Sequence, residues 1–144
     1  MLDYSILAEK MLLLRAQLSH LPAGEAVSDA CGGEFFALSL LLAGAPSCPS
    51  ALSRSMGVSS ARIAALLKHL EQKGLVLRRT DEHDERRVNV SLTDAGRKLI
   101  NERRREAIER VAAALRSLGE EDALEYIRLQ QKMLDALSAS DKQA

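Results

Sequence analysis

Apolar residues recur at helical spacing from the start of the chain. Ile6, Leu7, Met11, Leu14 and Leu18, with Leu13 widening the stripe, predict an amphipathic helix over residues 2–20. Pro22, Gly24, Gly32 and Gly33 then punctuate residues 21–33, which read as a loop. Residues 34–43 are almost wholly apolar, which predicts a short helix buried on most sides and ended by Gly44 and Pro46. A second short helix is expected from Cys48 to Met56. Ser47 is placed to cap it, Pro49 suits its first turn, and Gly57 suits a left-handed close. Ser59 opens a further helix that runs to Lys73 and stops at Gly74. Its inward face is Ile63, Leu66, Leu67 and Leu70. Two helices joined by so tight a junction form a helix-turn-helix.

The period then changes from helical to alternating. Leu75–Thr80 is one strand-like run, and Arg87–Leu92 is another, with Val88, Val90 and Leu92 on one face. The polar stretch Asp81–Arg86 between them makes a β-hairpin with a charged tip. Thr93 is placed to cap a long helix reaching Leu118, Gly119 interrupts it, and a last helix covers residues 120–137. The tail from Ser138 to Ala144 is expected to fray. The fold class is mainly α with a small β-hairpin wing. Residues 1–144 form a single domain with a winged helix-turn-helix lobe at 34–92. The helices at 1–20 and 93–137 flank that lobe.

Composition supports a helical protein with a real core. Apolar residues make up 47% of the 144 positions, yet aromatics only 3%, so Leu and Ala carry the packing. No run approaches the ~20 apolar residues needed to span a bilayer, and the N-terminus lacks a signal-peptide pattern. Cys31 and Cys48 make neither a disulfide framework nor a zinc set, and a reducing cytoplasm is the expected location. His20, His69 and His83 have no ligand spacing, so no metal or cofactor is expected. No phosphate loop, nucleophile elbow or paired catalytic carboxylates occur, which argues against an enzyme.

The net charge is zero, but it is unevenly spread. Residues 1–53 carry −3, residues 54–105 carry +6, and residues 106–144 carry −3. A basic middle between acidic ends is the local footprint expected of a nucleic-acid binder, although solvated Arg and Lys give the same count. Within that middle, the helix opened by Ser59 turns Ala61, Ala65, Lys68 and Gln72 away from its apolar face, with Arg62 and His69 at the flanks. Small side chains let a helix sit deep in the major groove, where Ala contacts thymine methyls and Arg pairs with guanine. Ser59 and Ser60 lie at its N-terminus, where hydroxyls and free N–H groups suit a phosphate. An ordinary surface helix rich in Ala fits the same pattern. In the hairpin, Arg86 and Arg87 suit the negative potential of the minor groove. Asp84 is close enough to orient Arg86 or to hold backbone donors of the tip. The bland alternative is a charged loop with weak ion pairs.

Residues 51–96 resemble the MarR family of bacterial transcriptional regulators. The likeness rests on Leu70-Glu71-Gln72-Lys73-Gly74-Leu75-Val76, on Asp84-Glu85-Arg86, which is similar to the family's Asp-x-Arg wing motif, and on Ser91-Leu92-Thr93-Asp94-Ala95-Gly96. The chain departs from the family at Ala64 and Ala65, where polar residues are usual. The resemblance implies a repressor that binds double-stranded DNA. Arg86 would be its minor-groove arginine and Asp84 the organiser of that arginine. Ser59 to Arg62, Ala65, Lys68 and His69 would be recognition-helix candidates. It also implies a homodimer with the terminal helices of two subunits interlocked. The amphipathic helices at the two ends of the chain agree independently, since neither has a place in a compact winged helix. Two-fold symmetry then predicts a palindromic operator with half-sites ~34 Å apart.

Relatives often take a small aromatic or anionic effector between the dimer helices and the DNA lobe. Tyr4, Arg15, Phe35 and Phe36 are the candidates here, with plain core packing as the alternative for the phenylalanines. Two other readings remain open. Cys31 or Cys48 would sense oxidants in one. In the other, the winged helix binds protein rather than DNA.

Overall fold

The computed structural model describes residues 2–44 and 47–141, without the side chains of Ala23, Ala26, Val27, Ala30, Cys31 and Asp141. In chain order the elements are α1 (Tyr4–Ser19), α2 (Pro22–Cys31), α3 (Gly33–Leu42), α4 (Pro49–Met56), α5 (Ser60–Gln72), β1 (Val76–Thr80), β2 (Val88–Leu92), α6 (Asp94–Leu118) and α7 (Glu120–Asp141). The mainly helical architecture with a single hairpin among the described residues is the one the periodicity predicts.

Each boundary has a local cause. Asp3 caps α1 by accepting from the Ser5 N–H at 2.9 Å. Gly57 closes α4 with φ 64°, the left-handed conformation that costs glycine least. Ser59 caps α5 by accepting from the Arg62 N–H at 3.2 Å. The turn between α4 and α5 is held from within, because the Ser53 hydroxyl donates to the Val58 carbonyl at 2.9 Å. Thr93 caps α6 by accepting from Gly96 N–H at 3.0 Å, while its own hydroxyl donates to the Gly74 carbonyl at 2.6 Å. One side chain thus starts α6 and ties it to the end of α5.

The strands pair antiparallel with Val76 opposite Leu92 and Thr80 opposite Val88. On the other side of β2, the Val90 N–H donates to the Ser47 carbonyl at 2.8 Å. The alternation on β2 is as expected: Val90 is buried, Val88 and Leu92 are half-buried, and Asn89 and Ser91 are exposed.

The core gathers Ala37 and Leu38 from α3, Leu52 from α4, and Ile63, Leu67 and Leu70 from α5. Leu75, Val76, Val90 and Ile100 complete it. Every one of these lies between residues 37 and 100, so the winged helix is packed around its own centre. Burying an aliphatic side chain of this size stabilises by roughly 1.5–3 kcal/mol. The terminal helices differ. α1 has no buried residue and packs chiefly on α2, while α7 packs on α6 with nearly all its side chains exposed.

Four expectations are corrected. The stretch 21–33 is not a loop but contains α2. Pro22 sits in the first turn, where a missing N–H is no loss, and Glu25 favours the helix N-terminus. Gly24 is not a breaker. A Cβ there would collide with the Leu18 carbonyl, so glycine permits the close approach of α2 to α1. The cap of α4 is Cys48 rather than Ser47, whose carbonyl serves β2 instead. α3 is less buried than its composition suggests: Ala37 and Leu38 are buried, but Phe36 is 39% exposed. The last helix continues through residues 138–141, carried by backbone bonds and a Ser140 hydroxyl donating to the Ala136 carbonyl at 3.1 Å. Pro46 and residues 142–144 lie outside the described residues.

Candidate nucleic-acid interface

α5 is amphipathic in the expected sense. Ile63, Leu67 and Leu70 are buried, Leu66 is half-buried against them, and Ser60, Ala61, Arg62, Ala65 and Lys68 are exposed. A turn of 3.6 residues puts Ala61, Ala65, Lys68 and Gln72 on the side opposite the core. This outer face is shallow at its N-terminal end and cationic towards its C-terminal end. Ser59 uses its oxygen to cap the helix, which leaves its O–H free to donate outward.

His69 is placed differently from the other predicted contacts. Its Nε2 lies 2.9 Å from a Glu34 carboxylate oxygen at the start of α3. The same carboxylate accepts from Lys73 Nζ at 2.9 and 3.2 Å. The Lys73 bond holds the Glu34 carboxyl below its ordinary value, with burial opposing and the charges of His69 and Arg103 assisting. On the opposite flank of α5, Glu71 accepts two hydrogen bonds from Arg78 of β1, at 2.9 and 2.7 Å. α5 is therefore joined by ion pairs to α3 on one side and to the wing on the other.

The wing tip is organised by two aspartates. Asp84 accepts from the Arg86 N–H at 3.0 Å, and its carbonyl accepts from the Arg87 N–H at 2.9 Å. Its second carboxylate oxygen is 3.9 Å from Arg87 Nε. Asp84 thus fixes the backbone that carries both arginines and pairs with Arg87, while the Arg86 side chain extends into solvent. Sequence reasoning missed Asp81. Its carboxylate accepts from the His83 and Asp84 N–H groups at 2.8 and 3.2 Å and from the Asn89 side-chain amide at 3.0 Å. Those bonds, that to His83 first, hold its carboxyl below the usual value. Asp81 is also where the hairpin closes, its N–H donating to the Arg87 carbonyl at 2.8 Å. The signal was there: a short acid at the end of a strand, with free N–H groups two and three residues on, is a turn-forming arrangement.

The four effector candidates lie on two helices, α1 and α3. Tyr4 is 76% exposed at the far end of α1, ~21 Å along the helix from Leu18, where α1 meets α2. Arg15 is exposed further along the same helix, and Phe35 and Phe36 lie on α3. Cys48 is half-buried. The Ser50 hydroxyl, 3.5 Å from its sulfur, and the Ala51 backbone lower the thiol below its ordinary value. The Cys31 side chain lies outside the described ones. No group of three or more potential metal ligands occurs among the described residues, and no helix there is long and apolar enough to cross a membrane.

Residues 34–103, from the start of α3 into α6, match the family model for the transcriptional regulator SarA/Rot. No curated protein matches the chain in sequence. Among solved structures it is similar to a MarR family protein from Bacillus stearothermophilus. The two share 25% identity and a TM-score of 0.71, over 96% of this chain and 99% of that one. It is also similar to MepR of Staphylococcus aureus, a transcription regulator of the multidrug efflux pump MepA, with 24% identity and a TM-score of 0.67 over 94% and 99% of the two chains. A mutant of MepR bound to an oligodeoxyribonucleotide gives a TM-score of 0.58 at 24% identity, over 95% of this chain and 99% of that one. The chain has the winged-helix fold of these regulators. Its likeness to a solved MarR family protein agrees with the resemblance over residues 51–96.

Proposed function

We propose that this protein is a sequence-specific DNA-binding repressor that works in the cytoplasm as a homodimer on a palindromic operator. The observation that carries the reading is the outer face of α5, where Ser60, Ala61, Arg62, Ala65 and Lys68 are exposed on a rigidly packed helix. Arg62 would read a base edge from the first turn, Ala61 and Ala65 would admit the helix to the groove, and Ser59 and Ser60 would meet a phosphate. The wing would lay Arg86 in the minor groove, with Asp84 and Asp81 setting the loop. His69 contributes through Glu34 rather than by reaching a base.

Dimerisation rests on a separate observation. Ile6, Leu7, Met11, Leu14 and Leu18 of α1 are exposed, and so are Tyr126, Leu129, Met133 and Leu137 of α7. Apolar faces of this extent on two terminal helices fit a second copy of the chain. The winged helix would then be the DNA lobe, at residues 34–92, and the terminal helices the dimer lobe, at 1–20 and 93–137.

The test is fluorescence anisotropy on duplexes from the protein's own upstream region and on duplexes enriched from a randomised library, with salt titrated. Tight, sequence-dependent binding with a steep salt dependence supports the reading. Equal, weak binding to every duplex would refute it and favour a protein-binding winged helix. Release by a small aromatic or anionic effector is read in the same assay, as a fall in anisotropy when such compounds are added.

A further inference from the structure

α5 carries its charged residues in three sectors. Taking ~100° per residue, Ala61, Ala65, Lys68 and Gln72 face outward, Arg62, His69 and Lys73 lie on one flank, and Glu71 lies on the other. Both flanks are engaged. Glu34 of α3 holds His69 at 2.9 Å and Lys73 at 2.9 Å, and Arg78 of β1 holds Glu71 at 2.7 Å. The apolar contacts of Ile63, Leu67 and Leu70 fix how closely α5 sits on the core. They resist rotation about the helix axis less well, because aliphatic contacts have no direction. Ion pairs on opposite flanks supply that direction.

We propose that Glu34 is a specificity-determining positioning residue: with the Glu71–Arg78 pair on the other flank, it sets the rotation of α5 about its axis and so decides which side chains meet the base edges. This rests on the DNA-reading role of α5 proposed above. Glu34 touches no DNA. It also withdraws the Lys73 cation from the phosphate-facing surface and engages the His69 ring. Its loss therefore moves specific and non-specific binding in opposite directions. The stability at stake is small, since partly exposed ion pairs stabilise little, and the effect belongs to orientation.

The experiment compares the parent with Glu34→Gln, Lys73→Gln and the charge-swapped pair Glu34→Lys with Lys73→Glu. Each is titrated against the duplex best enriched by the parent and against its scrambled form. In Glu34→Gln the ratio of the two affinities falls about tenfold, a fraction of the full specific-to-non-specific range, while the scrambled duplex binds as well as before or better. Lys73→Gln lowers the same ratio from the other partner, even if Glu34→Gln proves poorly folded. The charge swap keeps the net charge and restores the ratio. Amide exchange in the last turn of α5, residues 69–73, speeds up in Glu34→Gln without DNA and returns in the swap. An unchanged ratio in Glu34→Gln and Lys73→Gln, a swap that does not restore it, or unaltered exchange would each overturn the proposal. Should the parent enrich no duplex at all, the DNA reading itself falls and the specificity role of Glu34 falls with it. An enriched duplex with an indifferent Glu34→Gln overturns the positioning role alone.

Discussion

Gly96 has no side chain because the Leu75 carbonyl oxygen occupies the space a Cβ would need. That carbonyl is fixed, since it accepts the Thr93 N–H at 3.1 Å. Gly96→Ala therefore pushes α6 off the segment that follows α5 and destabilises by about 1–3 kcal/mol, as other overpacking substitutions do. A urea midpoint equal to the parent's would show that the backbone yields freely. Asp84 and Asp81 illustrate what the sequence disclosed at this scale. Asp84 was legible as an organiser because it precedes two arginines in a short motif. Its pairing with Arg87 rather than Arg86 depends on the turn it creates. Asp81 was not legible as the second organiser, since its partners His83, Asp84 and Asn89 come together only once the hairpin closes. The Arg86 side chain is left in solvent, so Arg86→Ala is expected to leave fold and oligomeric state intact. It should weaken operator binding by about tenfold, the size of one lost arginine contact. Unchanged affinity would remove the wing from DNA reading.

Between elements, ion pairs do much of the orienting and carry a pH signature. Glu34 is held below its ordinary value of 4.5 by Lys73, and Glu71 below 4.5 by Arg78. A carboxyl with a depressed folded value stabilises fully above its unfolded value and loses that contribution as pH falls through the folded one. The urea midpoint should thus be level from neutrality down to ~pH 5 and decline below 4.5, where the folded protein begins to bind fewer protons than the unfolded chain. Glu34→Gln and Glu71→Gln should each flatten the decline. A decline as steep in both variants as in the parent would place the acid sensitivity elsewhere. The helix-turn-helix and hairpin were readable because Gly57, Ser59, Gly74 and Thr93 mark their boundaries with short-range chemistry. α2 was not readable. Pro22 and Gly24 look like breakers until the neighbour is known, and Gly24 is glycine because α1 crosses there. The pairing of Glu34 with His69 and Lys73 spans more than thirty positions, and no local pattern announces it.

For the molecule as a whole, the core and the exposed apolar surface are in different places. Among the described residues the buried cluster is confined to residues 37–100, whereas α1 buries nothing and α7 turns Tyr126, Leu129, Met133 and Leu137 outward at helical intervals. A helix of 16 residues is marginal in water on its own propensity. α1 touches chiefly α2 and buries none of its side chains, so a surface outside the single chain would add to its stability. This is the physical argument for the proposed dimer, and it predicts coupled behaviour. Leu129 is 50% exposed in the chain, so Leu129→Glu changes little within one copy. In a dimer the same change places a carboxylate in an apolar seam, which costs several kcal/mol unless the seam opens. The variant should fall from twice the 15.7 kDa chain mass to the chain mass in light scattering. It should lose helical circular dichroism equivalent to part of α1. It should also bind a two-half-site duplex no better than a single half-site, because two recognition helices would no longer be held ~34 Å apart. The winged helix, with its own core, should keep its cooperative melt. A variant that remains dimeric with full helix content would show that the α7 face is not the seam. The exposed stripe of α1 would then be the surface on which two copies meet.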